Sequence, residues 1–591
     1  MLGPIFVREW LTAPRRPQHY AARAIHLGML WVLGVTAWQA LIGWSRPFSI
    51  GDTARFGQLL FRTSVYFQLV LLLFFAALTA AAAVAQEKDR RTFILLLLTD
   101  LRSYEIVLGK LLGALLPTGM VVLGSAGVFA LGLLLGGVDW RQIVECLLVL
   151  LAAGVAAGSL GCLVALWRDQ TFPALALTVL LLVLYFAAVQ AIGLVDGPPL
   201  LGVWLDPFQC VQAVLDQANP VRDLTPVFGF LAAMTAVCVL LNGWSMLRLR
   251  VWNPSGEPIM RREPADEQHE RAAAVAHAAP GRVRAVWSNP VLWREIRTRA
   301  YGQRPLLVKA AYALVISIIA YHALAPLFAG QRAPFAAAWG LLPAVILTLL
   351  LMSAQAVTAV TSERDKGALD LLLVTDLSPR EFIFGKLLGV AYNTKEFLLP
   401  PLALIAAYAA FGWLATPPRG HAELAAQRNL LAAACSSAAL LLLAAFVVVL
   451  GVHIGLRTEQ SRLAITHTLG AVFFLSVGTL VCIWLIVVSG RFEVQWTSFV
   501  LFLAAGMAGL WWVLSGERPS LALNVASIVC PLAVLYAVMN VLVGKPGSIE
   551  SSNPLLPTAV LGAAFGFAIA AMLVPLLSEF DVALGRTTGN D

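Results

Sequence analysis

The sequence predicts an all-α fold, a polytopic bundle of transmembrane helices carrying a parallel internal repeat of about six plus eight spans. Three observations predict it. Of 591 residues, 59% are hydrophobic and only 13% charged, with mean hydropathy +0.81, about half the roughly 25% charge of a soluble globular chain. Apolar runs such as VYFQLVLLLFFAALTAAAAVA and LLAAACSSAALLLLAAFVVVLGV reach the ~20 residues a helix needs to cross hydrocarbon, and they lack the alternation of barrel strands. Finally, EKDRRTFILLLLTDLRSYEIVLGKLLG, Glu87 to Gly113, returns without gaps as ERDKGALDLLLVTDLSPREFIFGKLLG, Glu363 to Gly389, at an offset of 276 residues.

In chain order, the opener GPIFVREWLTAPRRPQ sets Phe6 and Trp10 beside Arg8 and Arg15, as a helix lying in the headgroup layer does. No basic start with an apolar run and cleavage site precedes it, so the first span is expected to remain. Apolar windows place six spans near His26 to Ile42, Val65 to Val84, Ile106 to Leu135, Ile143 to Trp167, Phe172 to Leu194 and Thr225 to Leu247. These make up a first half, 1–248. A stretch rich in Pro, Gly and Ala with both charge signs reads as a cytosolic linker, 249–287. The second half, 288–591, opens with NPVLWREIRTRAYGQRP, whose Pro290 and Arg294-Glu295 echo Pro4 and Arg8-Glu9. Its windows give eight spans near Leu306 to Leu327, Trp339 to Val360, Phe382 to Leu414, Leu430 to Leu456, Ala464 to Val488, Ser498 to Leu514, Leu521 to Val543 and Leu555 to Leu577. The pair near 498–543 is an extra hairpin with no match in the first half.

Basic residues mark cytoplasmic segments. Arg8, Arg15, Arg16 and Arg23 precede the first span, and Leu247 to Lys309 is densely basic, whereas the loop after Leu194 carries Asp196, Asp206, Asp216 and Asp223 against Arg222 alone. Both termini and both motif copies are therefore expected in the cytoplasm, since six spans separate the copies. The formal charge of +8 belongs to this bias. No basic stripe interleaved with aromatics suggests nucleic acid. The cysteines lie mainly in apolar runs without a CxxC pair, which indicates packing and neither disulfides nor a metal site.

Each motif copy starts with a charged cluster at the end of a span, passes through about four apolar residues and reaches Thr-Asp. The middle is too short to cross a bilayer and suits a short interfacial helix with its leucines against lipid or bundle. Thr99 and Thr375 read as caps for a following turn, Pro379 as a helix start, and Lys110 and Lys386 as boundary lysines that snorkel. A topogenic loop would need the basic residues only. Matched acids in both copies point instead to a docking surface made by Glu87, Lys88, Asp89, Arg90, Thr99 and Asp100, and by Glu363, Arg364, Asp365, Lys366, Gly367, Thr375 and Asp376.

At these residues the sequence resembles the ABC-2 type permeases of ABC transporters, whose pattern is close to E-[KR]-x-x-G-T-[LF]-[ED]-x-L-L-x-T-x-[LP]-[ST]-x-x-E-[IF]-x-x-G-K. Glu363, Arg364, Gly367, Asp370, Leu372, Leu373, Thr375, Glu381, Gly385 and Lys386 match it. The first copy departs, with Arg91 at the usual glycine and Ile94 at the usual acid. The resemblance implies that each segment is a coupling helix seated in a cytosolic ABC ATPase, and that the chain is the membrane subunit of an exporter. No GxxxxGK[ST] phosphate loop occurs in the chain. ATP and magnesium are therefore expected in a separate ATPase, two copies to one copy of this chain, with no cofactor or catalytic residue here.

Lys395 and Glu396 fall well inside the span opening at Phe382, where a charge costs about 2.5–3.5 kcal/mol on insertion scales. They are candidates for a translocation path, or else pair within the bundle. Two rival functions are an intramembrane enzyme for lipid-linked substrates, using outer carboxylates such as Asp196 and Asp206, and an ion-coupled secondary carrier. The first lacks ligand spacing, and the second lacks a charged twin for Lys395-Glu396 in the other half, where Gly119 and Met120 stand.

Overall fold

The computed structural model describes residues 3–12, 17–41, 49–194, 199–216, 225–253, 286–297, 305–328, 336–369, 377–414, 425–489, 496–515, 520–543 and 553–578. Every regular element in it is a helix. In the first part these are α1 (Gly3–Thr12), α2 (Pro17–Leu41), α3 (Ile50–Asp89), α4 (Phe93–Leu98), α5 (Ser103–Gly124), α6 (Ala126–Leu135), α7 (Trp140–Trp167), α8 (Thr171–Leu194), α9 (Pro199–Leu205), α10 (Pro207–Leu215) and α11 (Thr225–Trp252). In the second they are α12 (Pro290–Arg297), α13 (Pro305–Phe328), α14 (Ala336–Asp365), α15 (Pro379–Ala410), α16 (Ala425–Arg457), α17 (Ser461–Ser489), α18 (Trp496–Ser515), α19 (Leu521–Val543) and α20 (Leu555–Ser578). Most of the expected linker lies outside the described residues.

Eleven described helices are long and apolar enough to cross a membrane, six up to Trp252 and five from Leu307 onward. The sequence placed three more spans, and helices α15, α17 and α18 stand there. Helix starts follow local capping chemistry. Ser49 with Asp52 opens α3, Asp139 with Gln142 opens α7, and Ser378 with Glu381 opens α15 one residue before Pro379. Backbone and side-chain hydrogen bonds from Ser378 hold the Glu381 carboxyl below its usual range. Five of the cysteines, Cys146, Cys162, Cys210, Cys435 and Cys530, are free and buried, as packing residues are.

Helix α3 packs along α7, and α14 along α16. Lipid gives no hydrophobic drive between helices, so close approach over small residues supplies the contact. A Cβ on Gly161 of α7 would stand 2.1 Å from the Ala77 carbonyl oxygen of α3, and one on Gly451 of α16 would stand 2.6 Å from Ala356 Cβ of α14. Gly161→Ala is expected to destabilise the chain by about 1–3 kcal/mol through overpacking. Gly119→Ala, where nothing lies within 4 Å, should not, and the thermal unfolding midpoint of the purified chain checks both.

The two parts meet where α2, α3 and α8 pack against α13, α14, α17 and α18. Phe74 of α3 stacks on Phe473 of α17 with centroids 4.1 Å apart. Beside this stack Phe74, Leu78, Leu175, Leu350, Ala354 and Leu469 leave a cavity of only about 10 Å³, so this part of the interface is dry and closed. Helix α18, from the extra hairpin, packs on both α2 and α17.

Lys395 and Glu396 differ in their surroundings. Glu396 pairs with Lys309 at 2.6 Å, and Lys309 lies in the second turn of α13. At 1.5 Å per residue, α15 therefore begins roughly 20 Å before α13 does. Its first turns stand at the end of the bundle beside α12, which packs on them. Glu396 thus lies level with the second turn of α13 and pairs within the bundle. Lys395 is exposed, 3.8 Å from the Tyr392 ring centroid, and points away from the bundle.

Candidate functional site: a paired charge cluster at one end of the bundle

Helices α3 and α14 end in Glu87-Lys88-Asp89 and Glu363-Arg364-Asp365, and the two ends meet. Each charge has the same kind of partner in both copies. Glu87 binds Lys110 of α5, and Glu363 binds Lys386 of α15 at 2.6 Å. Lys386 is fully buried, lies 2.6 Å from Glu295 of α12 and donates to the Ala359 carbonyl at 3.0 Å. Arg294 also reaches Glu363. These lysines do not snorkel to a boundary. Burying an ammonium requires paired carboxylates with good geometry, and the repeat supplies them twice.

Lys88 donates to the carbonyls of Leu166 and Arg168 at the end of α7. Arg364 does the same to Gly455, Leu456 and Thr458 at the end of α16. Both cations sit where orphan carbonyls and the helix dipole favour positive charge.

The aspartates join the two parts. Asp89, 2% exposed, accepts from Thr171 at 2.6 Å and from Ser362 of the other part at 3.1 Å, with Lys366 at 3.8 Å. Asp365 accepts from Ser461 at 2.9 Å and from Arg90 of the other part at 2.9 Å. Arg90 and Lys366 are 276 residues apart, as are Asp89 and Asp365, so the two bridges exchange under a twofold operation. Arg462 adds a contact without a twin, donating to Gln86 at 3.2 Å and lying 3.9 Å from Glu87.

After each cluster the chain turns through a left-handed residue, Arg91 at φ 58° and Gly367 at φ 69°. The shared conformation explains a glycine at this position, because a side chain is strained there. Helix α4 follows, burying Phe93 and Leu97 and exposing Leu95 and Leu98. Thr99 does not cap the next helix. Its hydroxyl donates back to Leu96 O at 2.6 Å and closes α4, while Glu105 accepts from the Arg102 amide to open α5. Asp100 is exposed at the tip. In the second copy Asp370, Thr375 and Asp376 lie outside the described residues.

The expected docking set thus divides. Glu87, Lys88, Asp89, Glu363, Arg364 and Asp365 turn inward to partners within the chain. Arg90 and Lys366 are partly exposed and bridge the two parts, while Thr99 and Asp100 face outward, joined by Leu95, Leu98 and Tyr104. The sequence reading missed Thr171, Ser461 and Glu295 as partners. Two signals were available: Asp169-Gln170-Thr171 against Glu459-Gln460-Ser461, and the repeated Arg-Glu of the openers.

Residues 52–244 match the family model described as ABC-2 family transporter protein. The likeness covers about a third of the 591-residue chain. It runs from the first turn of α3 into α11 and contains the whole first copy of the motif. No curated protein and no solved structure matches the chain. The eleven long apolar helices make the chain a multi-pass membrane protein. The second motif copy lies beyond the ABC-2 match. Its kinship rests on the repeat and on the partners its charges share with the first.

Proposed function

We propose that the chain is the membrane permease of an ABC exporter, driven by two copies of a separate cytosolic ATPase that holds ATP and magnesium. The reciprocal bridge between the motif copies carries this reading. The bridge ties two like-facing ends together directly behind an exposed tip of α4, Leu95, Leu98 and Asp100. An ATPase seated on that tip pushes on α4 and α5, and through Lys110 on Glu87. Separating the two parts then requires both bridges to break. An apolar knob rimmed by charge suits a protein groove better than water. The dry interface farther along α3 and α14 is the path that opens.

The motif end is the cytoplasmic end of a bacterial inner-membrane protein in this reading, with both chain termini there. Co-expression with the ATPase encoded beside it tests the proposal. The purified complex should contain two ATPase chains per permease, and Leu95→Asp with Leu98→Asp should release them while the permease itself keeps its thermal midpoint. ATPase retained by that double variant counts against docking at α4, and no ATPase bound to the native chain counts against the function.

A further inference from the structure

A second feature stands at the opposite end of the bundle. Tyr66 lies more than 20 residues before Glu87 on α3, roughly 30 Å along the helix. There a cavity of about 650 Å³ opens between α3, α8, α9 and α10, walled by Tyr66, Gln190, Asp206, Phe208, Gln212 and Asp216 among others. The size is that of a small-molecule site. Helices α9 and α10 lie between α8 and α11 and have no counterpart among the described residues of the second part.

Its chemistry is one-sided. Among the described residues the walls include two carboxylates and no basic side chain. Arg62, exposed one turn back along α3, engages Tyr66. The Tyr66 and Phe208 rings lie nearly parallel, 6° apart with centroids 6.5 Å apart, and Phe186 buttresses Phe208 edge-on at 5.7 Å. Asp206 is fixed by Gln190 Nε2 at 2.9 Å and the Phe208 amide at 2.8 Å. The Tyr185 hydroxyl holds the Leu205 carbonyl just before it at 2.6 Å. Burial pushes the Asp206 carboxyl above its usual range, which means its hydrogen bonds do not fully offset the loss of water and a nearby cation would.

The geometry points to a binding site for a planar organic cation of the guanidinium or amidinium class, laid flat against Tyr66 and Phe208 with its N–H groups toward Asp216 and Asp206. Flat cations gain from aromatic faces, and forked N–H donors match a carboxylate where a spherical ammonium does not. A metal ion has less support, since no group of three metal-ligating side chains occurs among the described residues. The site stands independently of the ATPase and of the transport reading.

Calorimetric titration of the full chain in nanodiscs with benzamidine tests it, using benzamide as the neutral probe of the same shape. Benzamidine should bind saturably at one site per chain, and benzamide at least tenfold more weakly. Asp216→Asn and Phe208→Ala should each weaken benzamidine at least tenfold, Asp216→Glu should retain it, and Gly119→Ala, on α5 with nothing within 4 Å of the added methyl, should change nothing. Equal binding of the two probes, no saturable binding, or full affinity in folded Asp216→Asn would overturn the assignment. Unfolding midpoints of each variant separate loss of the site from loss of the fold.

Discussion

Replacing Lys386 with methionine is expected to destabilise the folded chain by about 3–5 kcal/mol, the range for breaking a buried ion pair from one side. The size follows from what remains. Glu295 and Glu363 each stand 2.6 Å from the Lys386 ammonium, and with it gone two inward-facing carboxylates lose the buried cation they share, while the Arg294 guanidinium beside them is about one-third exposed. Lys110→Met should cost less, because one carboxylate depends on that lysine and Arg462 lies 3.9 Å from it. Adding Glu295→Gln and Glu363→Gln to Lys386→Met should recover most of the loss. Thermal unfolding of the three variants in one detergent checks the order. A Lys386→Met variant as stable as the native chain would remove the ion pairs from any structural role.

Reversing Asp365 to lysine is the second large effect expected. Its carboxylate is 4% exposed and receives Arg90 and Ser461, so a lysine there faces the Arg90 guanidinium across the same gap. Removing Arg90 with alanine should cost far less, because that side chain is half exposed and water replaces its partner. Exchanging the charges, Arg90→Glu with Asp365→Lys, should restore part of the stability, with a coupling energy of about 0.5–3 kcal/mol in a double-mutant cycle. Spin labels at Thr92 and Ala368, equivalent positions of the two copies, report the geometry directly. Their separation should widen in Asp365→Lys and shorten again in the exchanged variant. Unchanged distances in all variants would mean that the bridge does not hold the two parts together.

The membrane class, the helix start at Pro379 and the repeat itself were legible because each can be read from short stretches of sequence. A hydropathy window or a capping box needs no knowledge of the rest of the chain. The candidate site was legible only as a list of residues. Matched acids and bases in Glu87–Arg90 and Glu363–Lys366 read equally well as an outward docking face or an inward clamp. What separates these is whether carboxylates from two distant turns approach each other, and spacing along the chain carries no such term. Lys395 and Glu396 show the same limit: their depth depends on how far α15 projects past α13, a property of packing.

The amino-acid order alone thus determined a helical membrane bundle containing two equivalent charged ends, since the free energy of placing a segment in hydrocarbon is nearly a sum over its own residues. Only the tertiary structure decided that those ends hold one another, Arg90 to Asp365 and Lys366 to Asp89. An ion pair exists through distance and desolvation, and residues about 275 positions apart acquire both only when the chain has packed.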